Sequence, residues 1–486
     1  MSHVRIVDQT LRDGQQSLWG MRMQAGMCLP VAPLIDRAGY DTVDLVGSSM
    51  FEIMVRDAQE DPWAGLDMIA AAMPRSRIRA GTRNTGIVSM SVTPDALMDL
   101  WVATLCRHGV RSFWIYDVLH WNIAKTHRMA KVAKEFDAQV VAALMFTDSP
   151  VHTDAFYAEK AKLLGGSGDV DRLILYDTAG VLTPARCRTL IPAIQAACPG
   201  RELEIHCHNT IGIAPLTYLE AIGLGIDIIH TCSRPLANGA SLPSVEVTLR
   251  NLKLGGHSHD IDASVLAPIA QNFEEVAQAA GFPVGVPNEY DIALFEHQIP
   301  GGMTGTLRNQ LEKQGMADRL PDVLREVALV RRDMGYPGMA TPFSQLVGTL
   351  AVMNVINGER YRTIPDEVVQ YACGHYGAPV APIDGDLLDR IMATPRAKEL
   401  RGTEPTQRSV AELKAEFGGD ISDEDLLLRS LIAQPFIDKM KAAGAPARDF
   451  RRYNDPVLDK VAKLMTAATA RNLEIASGDF RLNLKR

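Results

Sequence analysis

Short apolar segments rich in β-branched residues alternate with longer amphipathic segments through the first half of the chain. This alternation, at a spacing of roughly 30 residues, is typical of units in which a helix connects two parallel strands. Eight such units with no second series of strands predict an α/β fold closed into a (β/α)8 TIM barrel, and an open doubly wound sheet is the alternative. The predicted strands are residues 4–7, 42–46, 78–81, 112–116, 139–144, 172–176, 204–207 and 227–231.

The pattern changes after about residue 273 to amphipathic helical segments that proline and glycine interrupt. We therefore predict that the barrel domain occupies residues 1–298 and that a mainly helical domain follows at residues 299–401. The start of the remaining segment is polar and acidic, and a leucine-rich helical pattern begins after residue 424. Residues 402–486 are accordingly predicted to form a linker and a helical tail.

Composition and charge narrow the class of protein. The net charge of −8, without a basic stripe, argues against nucleic acid as a partner. No apolar run approaches the roughly 18 residues of a membrane span, and no signal-peptide pattern begins the chain. The seven cysteines are scattered without the paired spacing of a disulfide framework. We expect a soluble, cytoplasmic protein with no membrane span.

Two predicted strands end in chemically reactive side chains, and functional residues of such barrels collect at these ends. The first strand runs into Asp-Gln-Thr-Leu-Arg-Asp-Gly-Gln-Gln-Ser at residues 8–17. The seventh ends in Ile-His-Cys-His-Asn-Thr at residues 205–210. By itself an aspartate after a strand is more often a helix cap, and a His-x-His pair is more often a surface feature. Their joint presence at two ends of one barrel favours a shared site.

The histidines of the seventh strand have the spacing of metal ligands. His206 and His208 are two residues apart, so in a strand both imidazoles project from the same face. With Asp13 as an oxygen ligand they can bind one divalent ion, for which zinc, manganese, cobalt or iron is suited. Cys207 points to the opposite face and is predicted to pack against the helix layer.

These motifs resemble a known superfamily. Residues 10–17 and 206–210 are similar to the metal-dependent lyases and transferases that include 3-hydroxy-3-methylglutaryl-CoA lyase, isopropylmalate synthase and the carboxyltransferase domain of pyruvate carboxylase. Further motifs resemble the carboxyltransferase branch only, which includes oxaloacetate decarboxylase α-subunits and the oxaloacetate-binding subunit of transcarboxylase. These motifs are residues 50–52, 60–63, 146–152, 297–303, 307–311, 335–337, 341–345, 357–361 and 379–384.

The resemblance implies roles for individual residues. Asp13, His206 and His208 would be the metal ligands, while Arg12 and Gln16 would face the reacting carbonyl. Arg83 would join Gln16 in holding the substrate, because a guanidinium clamps a carboxylate through two hydrogen bonds. The alternative for Arg83 is a solvated surface arginine. The metal and Arg12 would stabilise an enolate-type intermediate.

Two residues depart from the family pattern. Tyr176 occupies the slot of a lysine that is carbamylated and completes the metal site, and a phenol cannot form a carbamate. Ala240 stands where the branch has a threonine that carries a proton to biotin, and Ser241 replaces it only if the loop register shifts. The biotin-attachment lookalike at residues 439–442 lies in a helical pattern, so we predict no biotin-carrier domain. Biotin, if used, would come from a partner chain.

The leading hypothesis is a metal-dependent carboxyltransferase acting on a 2-oxo acid or a related carbonyl compound, with separate biotin-carrier and biotin-carboxylase subunits as possible partners. The first alternative is a biotin-independent decarboxylase or C–C lyase in which Tyr176 is a functional acid, base or metal-facing group with a pKa that a nearby cation lowers. Tyr176 would otherwise only fill the volume of the missing lysine. The second is a non-catalytic docking subunit, against which the retained metal triad argues. A homo-oligomer is expected because the branch associates and because the tail leucines need a surface to bury them.

Overall fold

The structure is a computed structural model that describes residues 2–88, 90–450, 472–477 and 480–485. Eight parallel strands form a closed barrel in chain order, and β1 closes it by pairing with both β2 and β8. The predicted barrel is therefore confirmed, with strand ends shifted by one or two residues. The strands are β1 Arg5–Asp8, β2 Thr42–Gly47, β3 Ile78–Arg83, β4 Ser112–Tyr116, β5 Gln139–Met145, β6 Arg172–Asp177, β7 Glu202–Cys207 and β8 Ile228–Thr231.

Helices surround the barrel and bury their apolar faces against the outer side of the strands. This outer layer is one continuous apolar core, to which both the strands and the helices contribute. The helices are α1 Gln15–Trp19, α2 Ala25–Cys28, α3 Ala32–Arg37, α4 Ser48–Ile53, α5 Pro62–Ala72, α6 Asp95–Arg107, α7 Ile123–Lys134, α8 Asp154–Gly165, α9 Pro184–Ala197, α10 Ala214–Gly223, α11 Val245–Leu254 and α12 Leu266–Ala280. Cys207 is buried in this layer, as predicted.

A second group of helices covers the mouth of the barrel. Their apolar residues form a separate core that also includes Val141, Met145 and Tyr176, which come from barrel strands. The helical domain therefore closes over the carboxyl ends of the strands. Its helices are α13 Leu294–His297, α14 Gly301–Glu312, α15 Leu320–Asp333, α16 Phe343–Asn357, α17 Asp366–Ala372, α18 Gly385–Met392 and α19 Pro395–Leu400.

The last segment is only partly helical. Helices α20 Val410–Glu416, α21 Asp423–Leu431 and α22 Gln434–Ala443 agree with the predicted tail. The prediction of helix to the end of the chain is wrong, because β9 Asn472–Ser477 and β10 Phe480–Lys485 pair as an antiparallel hairpin. The boundaries of the three predicted domains stay predictions.

The tail leucines are buried within this chain. Leu426, Leu427 and Leu428 belong to the core of the barrel's outer layer, where α21 packs on α6. An ion pair of 2.8 Å between Arg107 and Asp423 joins the same two helices. The argument that these leucines need an oligomer interface is therefore wrong. Within the described ranges, no helix combines the length and the apolar character that a membrane span requires.

The inside of the barrel is polar for much of its depth. Arg79 is fully buried and contacts both carboxylate oxygens of Glu204, at 2.7 and 3.0 Å. Arg172 reaches the same carboxylate at 3.0 Å and also pairs with Asp41. Buried charges of this kind persist only when they are paired and hydrogen-bonded. This network forms a rigid floor beneath the functional site.

Candidate metal and substrate site

A short turn brings the first pair of candidate residues into the barrel mouth. After β1 the chain forms a π-helical turn at Thr10–Gly14, in which Arg12 and Asp13 are both buried. Gly14 allows the close packing that this turn needs, because a Cβ there would lie 2.9 Å from the carbonyl oxygen of Leu236 in the loop after β8. The turn after β1 is therefore packed closely against the loop after β8.

Asp13, His206 and His208 converge as the sequence predicted. The Nε2 of His206 lies 3.2 Å from one carboxylate oxygen of Asp13, and the Nε2 of His208 lies 3.3 Å from the other. Their potential ligand atoms all lie within 4.8 Å of one another, and this is the one group of three such residues found in the described part of the chain. The prediction that both imidazoles share a face is confirmed.

The chemistry of these donors fits a divalent metal ion. Both Nε2 atoms are buried and neither makes a hydrogen bond, which is costly for a polar atom unless another ligand satisfies it. The Nδ1 of His208 lies 2.7 Å from the carbonyl oxygen of Ala240, so Nδ1 carries the proton and Nε2 keeps its lone pair. Two imidazole nitrogens and a carboxylate leave coordination positions open for substrate.

The Asp13 carboxylate is held in its ionised form. Burial by itself would raise its pKa, but the charge of Arg12 and the contacts with both histidines outweigh burial and hold the pKa well below its usual range. The hydroxyl of Ser17 also donates to Asp13 at 2.8 Å. An ionised carboxylate is the form that binds a metal.

Tyr176 lies between Arg12 and Asp13. Its hydroxyl donates to the Asp13 carboxylate at 2.7 Å and accepts from Arg12 at 2.9 Å. Its ring stacks on His206 with centroids 3.8 Å apart, and on Trp114 at 4.6 Å. The phenol therefore closes one side of the metal site through hydrogen bonds and stacking.

The expected lowering of the Tyr176 pKa is wrong. Burial raises the pKa well above its usual value and the Asp13 charge raises it further, although Arg12 acts in the opposite direction. In this environment the Tyr176 hydroxyl is held in its neutral form and donates to Asp13. The sequence showed the arginine nearby but did not show how deeply the hydroxyl is buried.

A cavity of about 360 Å³ lies between the barrel mouth and the helical domain. It brings together Arg12, Asp13, Gln16, Tyr176 and His208. The helical domain supplies another part of the cavity wall. This part includes residues of the motif at 341–345, to which the sequence assigned no role. The lining residues from that domain are Pro300, Gly302, Met303, Ala340, Thr341, Ser344 and Gln345.

Arg83 does not line this cavity. Its side chain is buried, and its Nε donates to the carbonyl oxygen of Gly86 at 3.1 Å within the loop that follows β3. Trp114 and Tyr116 occupy the cavity wall on this side. The alternative of a solvated surface arginine is also wrong, because only 2% of Arg83 is exposed.

The loop after β8 offers no hydroxyl to the cavity in place of the missing threonine. Ala240 lines the cavity, and a Cβ added to Gly301 would lie 2.6 Å from the Cβ of Ala240. Ser241 is fully buried, and its hydroxyl donates to the carbonyl oxygen of Leu236 at 2.7 Å. Ser241 therefore acts inside the loop and is not a substitute proton carrier.

Two residues that no sequence motif marked support the candidate ligands from below. Glu204 and His230 are fully buried and connect to His206 through a chain of contacts. Glu204 has the same two-residue spacing from His206 that joins the two histidines, so the strand alternation contained a signal for its position. Nothing local marked His230, which lies on the next strand.

Comparison with known proteins defines the class. Residues 3–272 match the HMGL-like family, and residues 294–480 match a conserved carboxylase domain. The chain therefore belongs to the HMGL-like family, in the branch that carries this carboxylase domain, and is an enzyme of the carboxyltransferase or lyase type.

Among characterised relatives, a pyruvate carboxylase subunit from Methanocaldococcus jannaschii is 34% identical over 89% of this chain and 76% of its own. The large subunit of 2-oxoglutarate carboxylase from Hydrogenobacter thermophilus is 30% identical, with coverages of 88% and 67%. The carboxyl transferase domain of Rhizobium etli pyruvate carboxylase superposes with a TM-score of 0.82 at 22% identity, over 99% of this chain and 84% of that one. The structural likeness at this identity concerns the fold.

Proposed function

We propose that this chain is a metal-dependent carboxyltransferase that acts on a 2-oxo acid. The observation that carries the proposal is the convergence of Asp13, His206 and His208 at the edge of a cavity that Arg12 and Gln16 also line. The names of two relatives specify pyruvate and 2-oxoglutarate, which are both 2-oxo acids. We infer the same substrate class for this chain.

One divalent ion of zinc, manganese or cobalt, held by Asp13, His206 and His208, would supply positive charge beside the 2-oxo group. Arg12 contributes a second, permanent positive charge at the same place. Its guanidinium is fixed by Asp13, Asp44, Gln9 and Tyr176, so little reorganisation is needed when negative charge develops on the substrate oxygen. Gln16 lines the same cavity and is assigned to the substrate carboxylate, because Arg83 lies outside it.

Carboxyl transfer from biotin requires one proton to move in the opposite direction. The bond between the biotin ring nitrogen and the carboxyl carbon breaks, a new C–C bond forms at C3 of the 2-oxo acid, and a C3 proton passes to the ring nitrogen. Arg12 stabilises the enolate oxygen that this proton loss creates. Running the same steps backwards decarboxylates the acid, with the carboxyl group returning to biotin.

Biotin on a partner chain is part of this proposal, as are a biotin-carboxylase subunit, a homo-oligomeric assembly and a cytoplasmic location. Lys439 and Lys441 lie in helix α22, whereas a biotin-carrying lysine lies in a hairpin turn. All seven cysteines are unpaired, which agrees with a reducing compartment.

Two features favour decarboxylation without biotin as a second candidate. The cavity wall at Ala240 has no proton-carrying group, and the Tyr176 hydroxyl is already engaged with Asp13 and Arg12. In that reaction the C–C bond of a 3-carboxylated 2-oxo acid breaks, carbon dioxide leaves, and C3 of the enolate takes a proton from water. Arg12 and the metal site would serve both reactions.

The test combines metal analysis with an oxaloacetate assay on the purified full chain. We expect one transition metal per chain, and we expect its loss in the double variant His206→Ala/His208→Ala. His120→Asn, a change at a buried histidine remote from the triad, is the control and should retain the metal. A wild-type chain that binds no metal would refute the proposal.

Dependence on biotin separates the two reactions. Pyruvate formation from oxaloacetate that needs free biotin, together with a biotinylated chain that co-purifies, supports carboxyl transfer. Biotin-independent turnover that survives in Tyr176→Phe supports the decarboxylase. Restoring the family residues with Tyr176→Lys and Ala240→Thr should raise the biotin-dependent rate only. A chain that binds metal but turns over nothing would leave the docking subunit as the remaining hypothesis.

A further inference from the structure

A third histidine, His230, lies directly beneath the candidate metal ligands. The Nδ1 of His206 is 3.1 Å from the Nδ1 of His230, and the Nε2 of His230 is 3.0 Å from the carboxylate of Glu204. All three side chains are fully buried. A continuous line of contacts thus runs from the candidate metal position to the ion network in the barrel interior.

The direction of the lower hydrogen bond follows from charge. Arg79 and Arg172 both contact the carboxylate of Glu204, at distances of 2.7 to 3.0 Å, so this carboxylate is an acceptor. The Nε2 of His230 must therefore carry a proton and donate it to Glu204. A neutral His230 then has its lone pair on Nδ1, which faces His206.

Gln9 fixes the same assignment independently. Its Oε1 accepts from the guanidinium of Arg12 at 2.8 Å, so the other end of its amide is the NH2 group. That Nε2 lies 2.9 Å from the Nδ1 of His230, and an amide nitrogen can only donate. The Nδ1 of His230 is consequently an acceptor, as the contact with Glu204 also requires.

The tautomer of His230 determines the tautomer of the candidate metal ligand His206. The Nδ1 of His206 faces the one lone pair on the Nδ1 of His230, which Gln9 also contacts, and a second lone pair at that place would be repelled. The Nδ1 of His206 therefore carries its proton, and the lone pair of His206 is left on the Nε2 that faces Asp13. We propose that Glu204, His230 and Gln9 form a positioning relay that holds His206 in the tautomer able to bind the metal. The proposal rests on the metal site proposed above, and none of the three residues is a catalytic residue.

The two histidine ligands are thus oriented by different means. His208 donates its Nδ1 proton to the backbone carbonyl of Ala240, which no side-chain substitution removes. His206 depends on a side chain that can be changed. Substitution of His230 should therefore weaken one ligand of the metal and leave the other intact.

The test compares two substitutions at one position. His230→Asn keeps an acceptor oxygen near the place of Nδ1, whereas His230→Leu removes it at similar volume. Loss of a residue that orients a metal ligand typically weakens metal affinity about 10- to 100-fold. We expect a loss of this size in His230→Leu, measured by competition with a chelating dye, and substantial recovery in His230→Asn.

Asp41→Asn is the matched control. It removes a partly buried ion-pair partner of Arg172 but touches neither His230 nor His206. Its metal affinity should equal that of the wild type. Thermal unfolding of each metal-free variant shows whether a loss of affinity reflects a loss of folding.

Nitrogen-15 NMR of labelled histidine in the wild-type protein tests the tautomer directly and needs no variant to fold. The signal of His206, assigned from its absence in His206→Asn, should show a proton on Nδ1 before metal is added. A proton on Nε2 would overturn the proposal, and so would equal metal affinities for the Leu and Asn variants. A wild type that binds no metal would refute the proposed function, while the NMR result would still decide this inference.

Discussion

Glu204 and Glu60 are both buried glutamates, but they lie in regions of opposite character. Glu204 faces the barrel interior, where the charge of Arg79 and the hydrogen bonds from His230 and Arg79 overcome the effect of burial and hold its pKa well below the usual range. Glu60 lies in the outer helical layer, just before α5, and accepts a hydrogen bond from the backbone N–H of Ala25 at the start of α2. There burial, reinforced by the charge of Asp61, raises the pKa of Glu60 to about 7.

The difference separates two kinds of stabilisation in one domain. The outer layer is stabilised by the removal of apolar side chains from water, and burying a charge there costs free energy. The interior holds charges that compensate one another and whose hydrogen bonds have defined directions. A metal site needs oriented ligands, and the candidate ligands of this chain lie above the second kind of region.

Removal of the interior anion should produce the largest loss of stability. Glu204→Leu leaves Arg79 and Arg172 buried without their shared partner, and breaking a buried pair costs about 3–5 kcal/mol. The measurement is the free energy of unfolding from urea denaturation at neutral pH. If Glu204→Leu proves as stable as the wild type, the interior charges are not coupled as the contacts imply.

A cavity in the outer layer should cost somewhat less. Leu427 is fully buried where α21 packs against the barrel, and a Leu→Ala change at such a site typically costs about 2–5 kcal/mol. We expect Leu427→Ala to lower the free energy of unfolding by about 3 kcal/mol, whereas the exposed Leu216→Ala should change it little. A small effect at Leu427 would mean that the tail is not docked on the barrel in solution.

The smallest effect concerns Glu60 and depends on pH. Between pH values of about 4.5 and 7 the native protein holds the Glu60 proton more tightly than the unfolded chain, so this residue makes stability fall as the pH rises. Glu60→Gln keeps an acceptor for Ala25 but does not titrate. Relative to the wild type, the variant should gain at most about 3 kcal/mol between about pH 4 and about pH 8, because a pKa raised from 4.5 to about 7 is worth about 1.4 kcal/mol for each pH unit.

Denaturation at several pH values measures this difference, with Glu159→Gln, a substitution at a solvent-exposed carboxylate, as the control. Equal pH profiles for Glu60→Gln and the wild type would contradict the raised pKa. If the stability of Glu60→Gln relative to the wild type increased toward low pH, the pKa of Glu60 would be lowered and not raised. The protein would then stabilise Glu60 in its charged form.

Much of this organisation could be predicted from the sequence because it is local. The β-branched segments marked all eight strands, and the alternation along β7 placed His206 and His208 on one face with Cys207 on the other. The ligand Asp13 followed from the rule that functional residues collect at the carboxyl ends of barrel strands.

The failures involve contacts between distant parts of the chain. Arg83 turns toward its own loop, and Tyr176 is too deeply buried to lose its proton, neither of which a local pattern encodes. The tail leucines pack where α21 contacts α6. Arg107 and Asp423, which pair between these helices, are 316 positions apart in the sequence. His230 lies next to His206 only because β7 and β8 are neighbours in the sheet.

The packing of α21 on α6 also bears on how the protein acquires its fold during synthesis. Strand β1 cannot complete its pairing until Thr231 has left the ribosome, because Asp8 lies opposite that residue in β8. The surface of α6 that contacts α21 stays open to solvent even longer, until the tail follows. Such long sequence separations slow folding and prolong the exposure of apolar surface. A nascent chain released before residue 423 would therefore contain all eight barrel strands, while the surface of α6 that contacts α21 remained exposed. Chaperones bind exposed apolar surface of this kind.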